Sequence, residues 1–376
     1  MKPGTTLAEL RRFAISRSLF GPTTLGRAIT KLGFIQADPI RAPARAQDLT
    51  LRHRVKNYRA GDLEKRYPQL GIEEDFFVNY GFLPRATQAL MHPRTPRRPL
   101  SAQETQQAPA LLDFVRLRGQ AHPRDVDAHF NHGKALNWFG GRSNVTTQLM
   151  DTLHYHGALR VARRETGIRV YALPAPSPEA GDTPAQGAQD ALDALVDVVV
   201  NTYAPLPAAS LGQLVSHLMK GVPQWQNQRN AALQRAKARL AQTNVDGVLW
   251  LWPANEALGK HPSAASGDQA RLLAPFDPVV WDRRRFELFW GWAYRFEAYT
   301  PPAQRKLGYY ALPLLWRDEV IGWGNVGLDG QCLTAQIGLV GKHRANRALG
   351  QALDDELAGM AAFLDANTVS WKWAKT

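Results

Sequence analysis

The residues best suited to chemistry in this chain are an amide and a carboxylate two positions apart, Gln36 and Asp38. In an extended backbone, side chains at positions i and i+2 project from the same face. Gln36 and Asp38 are therefore predicted to point the same way, with Ile35 and Ala37 directed into the protein. Pro39 supports this conformation, because a proline disfavours helical geometry in the residue before it. Spacing alone also allows a simpler interpretation, in which Asp38 is a helix cap or turn residue beside Pro39.

A run of cations follows the Gln36–Asp38 pair. The candidates for contact with a phosphate backbone are Arg41, Arg45, Arg52, His53 and Arg54. Phosphate contacts position a duplex without reading its sequence. One arginine, either Arg45 or Arg54, is expected instead to form an internal ion pair, with Asp48 as a candidate partner. A polar pair beside cations that hold phosphate indicates chemistry on a nucleic acid.

Composition agrees with an anionic partner. The chain has 376 residues, 44% of them hydrophobic, which is enough for two to four packed units. Its net charge is +13, and residues 1–66 hold fourteen Lys or Arg against five Asp or Glu. The preference for arginine favours phosphate and base edges, which suit a planar guanidinium group. The alternative is a generic, solvated basic surface.

Several classes of protein are disfavoured. The single cysteine, Cys332, excludes an internal disulfide and a cysteine-based zinc site, and the histidines do not form a ligand set. We therefore expect neither a metal nor an organic cofactor. No apolar run is long enough to span a bilayer, and the N-terminus lacks the apolar core of a signal peptide. A cytoplasmic monomer, associated with the nucleoid when bound to DNA, is expected.

Composition also divides the chain into parts. Stretches rich in proline, alanine and glycine at 174–187 and 256–269 are predicted to be linkers, and a further division is expected near 93–99. The predicted domains are residues 1–98, which hold the Gln-x-Asp segment in a unit resembling a winged helix; 99–174, a second winged helix; 188–254, a third; and 270–376, a small C-terminal α+β unit.

The winged-helix prediction depends on a recurring order of elements. Helices are expected at 109–119, from 123, and at 144–156, followed by two alternating strands within 159–171 around a glycine turn. Three helices and a hairpin are typical of a winged helix, whose third helix is the recognition candidate. The order recurs at 189–252. The predicted fold class is therefore α+β, mostly helical, with tandem winged helix-turn-helix units. An unrelated, mostly helical domain with hairpins is the alternative.

The C-terminal part is predicted to differ. Strands are expected at 308–316, 319–328 and 332–339, followed by a long helix at about 345–366. Before them, residues 279–292 alternate aromatic and basic side chains. Strands that are followed by one long helix predict a small α+β unit.

Three pieces of this sequence resemble the AlkZ/YcaQ family of bacterial DNA glycosylases. The first is Gln36-Ala37-Asp38 with its continuation through Arg45 and 48–54, which is similar to the family's Gln-apolar-Asp or Gln-apolar-Gln motif. The others are the long strings at 272–283 and at 294–301 leading to 308–313. Because these lie some 240 residues beyond the first, the resemblance covers nearly the whole chain. Asp38 places the chain nearer the YcaQ-like branch.

The resemblance implies a DNA glycosylase built from tandem winged helices. We expect it to be monofunctional, because no lysine lies on the Gln36–Asp38 segment and water is therefore the expected nucleophile. Members of the YcaQ-like branch excise cationic N7-alkylated purines and can unhook interstrand crosslinks. The implied partner is double-stranded DNA that contains alkylated bases, with Asp38 and Gln36 as the catalytic residues. Trp281, Tyr299 and Tyr309 are candidates to line the pocket, with core packing as their alternative role.

The main rival function is a winged-helix transcriptional regulator without catalysis. It explains the charge and the helix-hairpin units equally well. It requires neither a shared face for Gln36 and Asp38 nor the C-terminal strings. A purely structural or partner-binding role is a second rival.

Overall fold

A computed structural model of the chain describes residues 4–95, 99–130, 133–136, 142–174, 185–259 and 267–374. Much of both predicted linkers, 174–187 and 256–269, lies outside these ranges. The described residues form a mixed α+β structure, which confirms the predicted fold class, whereas the assignment of winged helices stays a prediction.

The α-helices, numbered α1 to α13 in chain order, span Leu7–Ser18, Leu25–Leu32, Ala46–Leu51, Asp62–Arg66, Arg85–Ala89, Ala102–Arg118, Pro123–Phe130, Val145–Tyr155, Ala185–Tyr203, Ala208–Gly221, Arg229–Arg239, Arg283–Trp290 and Arg347–Leu364. The strands, numbered β1 to β15, span Ile35–Gln36, Ile72–Phe76, Tyr80–Pro84, Lys134–Leu136, Arg142–Asn144, Arg160–Glu165, Ile168–Ala172, Leu206–Pro207, Ala241–Val245, Val248–Trp252, Ala270–Leu272, Leu312–Trp316, Glu319–Asp329, Cys332–Leu339 and Thr368–Trp373. Short 3-10 helices lie at Tyr67–Gln69, Pro223–Gln228 and Pro302–Gln304.

The contacts between Cα atoms divide the chain into two compact units, each built from separate segments. The first comprises Met1–Asp62, Asp197–Leu214 and Leu233–Thr376, and the second comprises Leu63–Val196 and Val215–Ala232. The predicted division into four consecutive domains stays a prediction. The first unit gathers both the Gln-x-Asp segment and the C-terminal strings.

A five-stranded sheet, in the order β11-β12-β13-β14-β15, is the main framework of the first unit. Neighbouring strands are antiparallel except β14 and β15, which are parallel and are connected through α13. The sequence predicted β12, β13, β14 and α13, but it did not predict β11 or β15. A smaller sheet in the order β8-β10-β9 buries Trp250, whose ring stacks on Phe289 at 5.1 Å.

One apolar cluster joins the first helix to residues 273–320 inside the first unit. Ile15 lies on α1, and Leu19 is the residue that ends this helix. Both are buried against apolar residues from the later part of the unit, namely Leu273, Val279, Val280, Phe286, Tyr294, Leu315 and Val320. Burial of apolar area of this kind is the main favourable term in folding. The cluster therefore holds two distant segments of the sequence against each other. A site that takes residues from both segments needs this packing.

In the second unit, α6, α7 and α8 precede the antiparallel hairpin β6–β7. The three helices and the hairpin follow the order that the sequence predicted for 99–174, but strands β4 and β5, which it did not predict, lie between α7 and α8. The hairpin turns at Thr166 and Gly167, both with positive φ. Strands β2 and β3 form another hairpin, and β4 pairs with β5. In the described ranges, no helix is both long and apolar enough to cross a membrane.

Candidate active site

The Gln36–Asp38 segment begins where α2 ends. Gly33 ends that helix with φ 75°, a conformation that favours glycine, and its N–H donates to the carbonyl of Ile29 at 2.9 Å. A Cβ on Gly33 would lie 3.0 Å from Cγ1 of Val198. The hydroxyl of Thr202 donates to the carbonyl of Leu32 at 2.7 Å. These contacts fix the point from which the chain enters the site.

Asp38 lies in a turn that its own side chain closes. Its Oδ1 accepts the N–H of Ile40 at 2.9 Å, and its backbone N–H donates to Oε1 of Gln47 at 3.4 Å. Asp38 is therefore a turn residue beside Pro39, as the simpler interpretation of the sequence held, because Asp and Asn commonly bond to the backbone two residues on. Its catalytic role stays a prediction. The turn engages Oδ1 and leaves Oδ2 as the oxygen that can meet a ligand.

The segment is more buried than the sequence suggested. Gln36 and Asp38 are 6% and 9% exposed, whereas Ala37 between them is half-buried. Burial raises the pKa of the Asp38 carboxyl group, because a carboxylate loses solvation there, and the hydrogen bond from Ile40 opposes part of that rise. Asp38 is therefore a poorly solvated carboxylate on a fixed turn.

Trp281 contacts Gln36 directly. Its indole Nε1 donates to Oε1 of Gln36 at 2.9 Å. The ring of Tyr203 packs against the indole at 5.2 Å. The structure thus joins two predicted site residues that lie 245 positions apart.

Aromatic residues of the 294–310 region adjoin Asp38. Partial desolvation, and then the charge of Asp38, raise the pKa of Tyr299, and Asp38 acts on Tyr310 in the same way after the larger effect of burial. Tyr299 and Tyr309 are 80% and 45% exposed, whereas Tyr310 is buried. The ring of Phe296 meets Tyr299 at 5.9 Å and Tyr310 at 5.0 Å. Tyr299 and Tyr309 are therefore surface groups beside the site rather than core residues.

Two of the five predicted phosphate contacts, Arg41 and Arg45, differ in exposure. Arg41 is exposed. Arg45 is half-buried and its charge lowers the pKa of Asp48, against the larger effect of burial, which raises that pKa. Arg45 thus lies near the partner that the sequence suggested for it.

The other three cations are bound within the protein, which corrects their prediction as phosphate contacts. Arg54 is fully buried and forms a bidentate ion pair with Asp277 at 2.7 and 2.9 Å. Arg52 pairs with the half-buried Glu356. His53 bonds through Nε2 to the carbonyl of Leu272 at 3.1 Å, and burial holds the pKa of its ring well below the usual range. A run of cations resembles a surface patch in sequence, but these groups have acidic or carbonyl partners more than 200 residues away.

Sequence reasoning missed Gln47 and the role of Ile40. Gln47 lies on α3, where it is 2% exposed and accepts from the backbone of Asp38. The Asp-Pro-Ile order could have indicated the turn that Ile40 closes. Nothing in the sequence could have indicated Gln47, because its contact depends on how α3 packs.

Comparison with known proteins identifies the family of this chain. The model of the AlkZ-like family, described as DNA glycosylase AlkZ-like, matches residues 29–363, which include every predicted site residue. Among solved structures, the chain is similar to Streptomyces sahachiroi DNA glycosylase AlkZ, with 12% identity and a TM-score of 0.61, over 99% of this chain and 100% of that one. The structural likeness shows a shared fold, and the family match favours an enzyme over a regulator. The chain belongs to the AlkZ-like DNA glycosylase family and is a DNA N-glycosylase.

Proposed function

We propose that this glycosylase hydrolyses the N-glycosidic bond of cationic N7-alkylated purines in double-stranded DNA and leaves an abasic site. The observation that carries the proposal is the buried carboxylate of Asp38, with Oδ1 held by the Ile40 N–H and the exposed Tyr299 beside it. An N7-alkylated purine is already positively charged, so it departs as a neutral base. The enzyme then needs to stabilise the sugar and supply water, rather than to protonate the leaving group.

The proposed reaction is a displacement of the base by water. The bond from C1′ to N9 breaks, and its electron pair goes to the departing base, which loses its positive charge. The water oxygen bonds to C1′, and the proton of the water passes to Asp38. The carboxylate also faces the positive charge that develops on the sugar, and such a contact is strongest where water is excluded. Retaining and inverting glycoside hydrolases use carboxylates for the same electrostatic task.

Burial of Asp38 favours this role. A carboxylate with little solvation, as its raised pKa indicates, gains more from a nearby developing cation than a solvated carboxylate would. Gln36 is proposed to hold the water, since its uncharged amide has N–H groups that can donate to the water oxygen. Tyr299 and Tyr309 are proposed to contact the damaged duplex through their exposed rings. Arg41, which is exposed, is proposed to contact phosphate.

We extend the proposal to interstrand crosslinks that join two purines through N7. Each linked base carries the same positive charge, so the same departure step applies to it. The chain is proposed to act as a monomer without a cofactor, with water rather than a lysine as the nucleophile. A lysine nucleophile would form a Schiff base with the sugar aldehyde.

The direct test uses a labelled duplex with a single N7-methylguanine. Incubation with the protein should produce alkali-labile abasic sites, and the Asp38→Asn variant should not. A matched duplex with uracil, a neutral base, should be cleaved far more slowly. Equal rates on the two lesions would contradict the proposed dependence on a cationic base.

Borohydride trapping tests the identity of the nucleophile. The reaction on the N7-methylguanine duplex should yield no covalent protein–DNA adduct in the presence of borohydride. An adduct would replace water with an amine nucleophile while leaving the glycosylase activity itself intact.

A further inference from the structure

The hydrogen bond between Trp281 and Gln36 determines which end of the Gln36 amide faces Trp281. An indole N–H can only donate, and of the two polar atoms of a glutamine amide only the oxygen accepts. The atom at 2.9 Å from Trp281 is Oε1, as this chemistry requires. Nε2 of Gln36, with its two N–H groups, therefore points away from Trp281.

Trp281 itself is held on a rigid support. Its backbone N–H donates to the carbonyl of Asp277 at 2.8 Å, and Asp277 is fully buried in its pair with Arg54. The next residue, Asp282, caps α12 by accepting from the N–H groups of Arg284 and Arg285. With the ring of Tyr203 packed against it, the indole has little freedom to turn away from Gln36.

We infer that Trp281 is a positioning residue that sets the polarity of the Gln36 amide for catalysis. The inference rests on the proposed hydrolysis by water. The water molecule accepts a hydrogen bond from Nε2 of Gln36 and donates one to the carboxylate of Asp38. One of its lone pairs then remains for C1′, and its proton is already directed at Asp38.

The reversed amide would hold the water less well. With Oε1 turned toward the water, Gln36 and Asp38 would both be acceptors, and the water would donate a proton to each. The bond to Gln36 would then compete with transfer of the proton to Asp38. An indole donor on the far side of Gln36 excludes this arrangement, because turning the amide would place an N–H group against the indole N–H.

Trp281→Phe tests the inference, because it keeps an aromatic ring and removes the donor. Single-turnover excision of N7-methylguanine should fall by about 10- to 100-fold, the range seen when a partner that orients a reacting group is lost. Affinity for the damaged duplex should stay within about 3-fold, since Trp281 acts through Gln36. Trp290→Phe is the matched control: Trp290 lies in the same unit and donates to the carbonyl of Asp318 at 3.2 Å. It should leave the excision rate unchanged.

A double-mutant cycle with Gln36→Ala separates positioning from a general structural effect. If Trp281 acts by orienting Gln36, then Trp281→Phe should have little further effect in the Gln36→Ala background. Gln36→Glu, which would present an acceptor to the water, should be at least as impaired as Gln36→Ala.

The outcomes distinguish the inference from the proposed function. An active wild-type protein whose Trp281→Phe and Gln36→Ala losses simply multiply would overturn the inference and leave the function standing. A Gln36→Glu variant that excises at the wild-type rate would do the same. A wild-type protein that is inactive on every cationic adduct would overturn the proposed function, and this inference with it.

Discussion

Activity should depend on pH if catalysis needs an ionised carboxyl group that lies where ionisation is unfavourable. Asp38 is such a group, because burial raises its pKa and only part of that rise is offset by the Ile40 N–H. Above the raised pKa the carboxylate is present and can accept a proton from water. Below that pKa the group is neutral and can neither accept the proton nor stabilise a cationic sugar.

The single-turnover rate on N7-methylguanine is therefore expected to fall as pH decreases through the raised pKa of Asp38. This acid limb should lie above the value of about 4 that is typical of a solvated aspartate. Rates measured from pH 4 to 8, with folding checked at each pH by circular dichroism, would locate it. A rate that stays constant down to pH 4 in folded protein would rule out Asp38 as the proton acceptor.

Asp38→Asn is expected to separate rate from binding and stability. Excision should fall by roughly 10²- to 10⁴-fold, the usual range for such groups. Affinity for DNA should be unchanged or slightly higher, because a negative charge near phosphates is removed. Single-turnover kinetics and equilibrium binding on the same duplex provide both measurements, and wild-type turnover by the variant would end the assignment of Asp38.

The same substitution should also raise the melting temperature at neutral pH. The folded-state pKa of Asp38 is raised above its unfolded value, so the folded state binds the proton more tightly. Ionisation therefore reduces stability as pH rises through the unfolded and then the folded pKa, and the reduction is complete above the folded pKa. An asparagine does not ionise and so does not lose stability in this way, and its side-chain oxygen can still accept the hydrogen bond from the Ile40 N–H. The gain should shrink as pH falls through the raised pKa, and a melting temperature lowered at pH 7 would contradict this account.

At the scale of elements, α3 and the segment before it hold both surface and internal charges. Every residue of α3, Ala46–Leu51, is buried. Arg54 follows this helix, and its guanidinium group bonds to the carbonyls of Ser18 and Thr50 in addition to the carboxylate of Asp277. Arg54 thus ties the Gln-x-Asp region to the 272–283 string inside the first unit.

Two arginines of the same run should consequently respond differently to substitution. Arg54→Met leaves Asp277 buried without its cation, and the free energy of unfolding should fall by about 3–5 kcal/mol. Arg41→Ala, at an exposed position, should leave stability within about 0.5 kcal/mol and weaken DNA binding. Denaturant titration and a binding assay on both variants check the contrast. Normal stability of Arg54→Met would contradict its structural role.

Local patterns predicted those elements whose signals lie within them. A helix was expected to end at residue 119, and Gly119 indeed ends α6 with a positive φ. The aromatic and basic string at 279–292 gave no helix prediction, yet α12 forms there from the cap at Asp282. Strand β15 was missed because it joins the sheet in parallel through α13, a pairing that depends on tertiary packing.

The candidate site was predictable only in part for the same reason. Gln36 and Asp38 are visible as a spaced pair, but the partner of Gln36 lies at Trp281 and that of Arg54 at Asp277. No local rule distinguishes a cation that faces solvent from one that has a buried carboxylate 223 residues away. The strings that indicated the family, rather than periodicity, located the second half of the site.

At the scale of the whole molecule, the net charge of +13 has to be considered together with internal pairing. In the second unit, three consecutive acidic residues of β2, Glu73, Glu74 and Asp75, are almost fully buried. Each forms an ion pair with an arginine: Glu73 with Arg160, Glu74 with Arg164 and Asp75 with Arg94. Some of the positive charge is thus used for internal structure, and only the remaining exposed part can attract DNA.

Affinity for undamaged duplex should nevertheless depend strongly on salt. Each phosphate that a surface cation neutralises releases counterions, so a rise from about 50 to 200 mM salt should weaken binding by orders of magnitude. Arg41→Ala should reduce the slope of log affinity against log salt concentration by about 1, whereas Asp38→Asn should leave the slope close to the wild-type value. Fluorescence anisotropy with an unmodified duplex at several salt concentrations measures these slopes. Affinity that persists at high salt, with a preference for one undamaged sequence, would contradict binding through phosphates and indicate recognition of base edges instead.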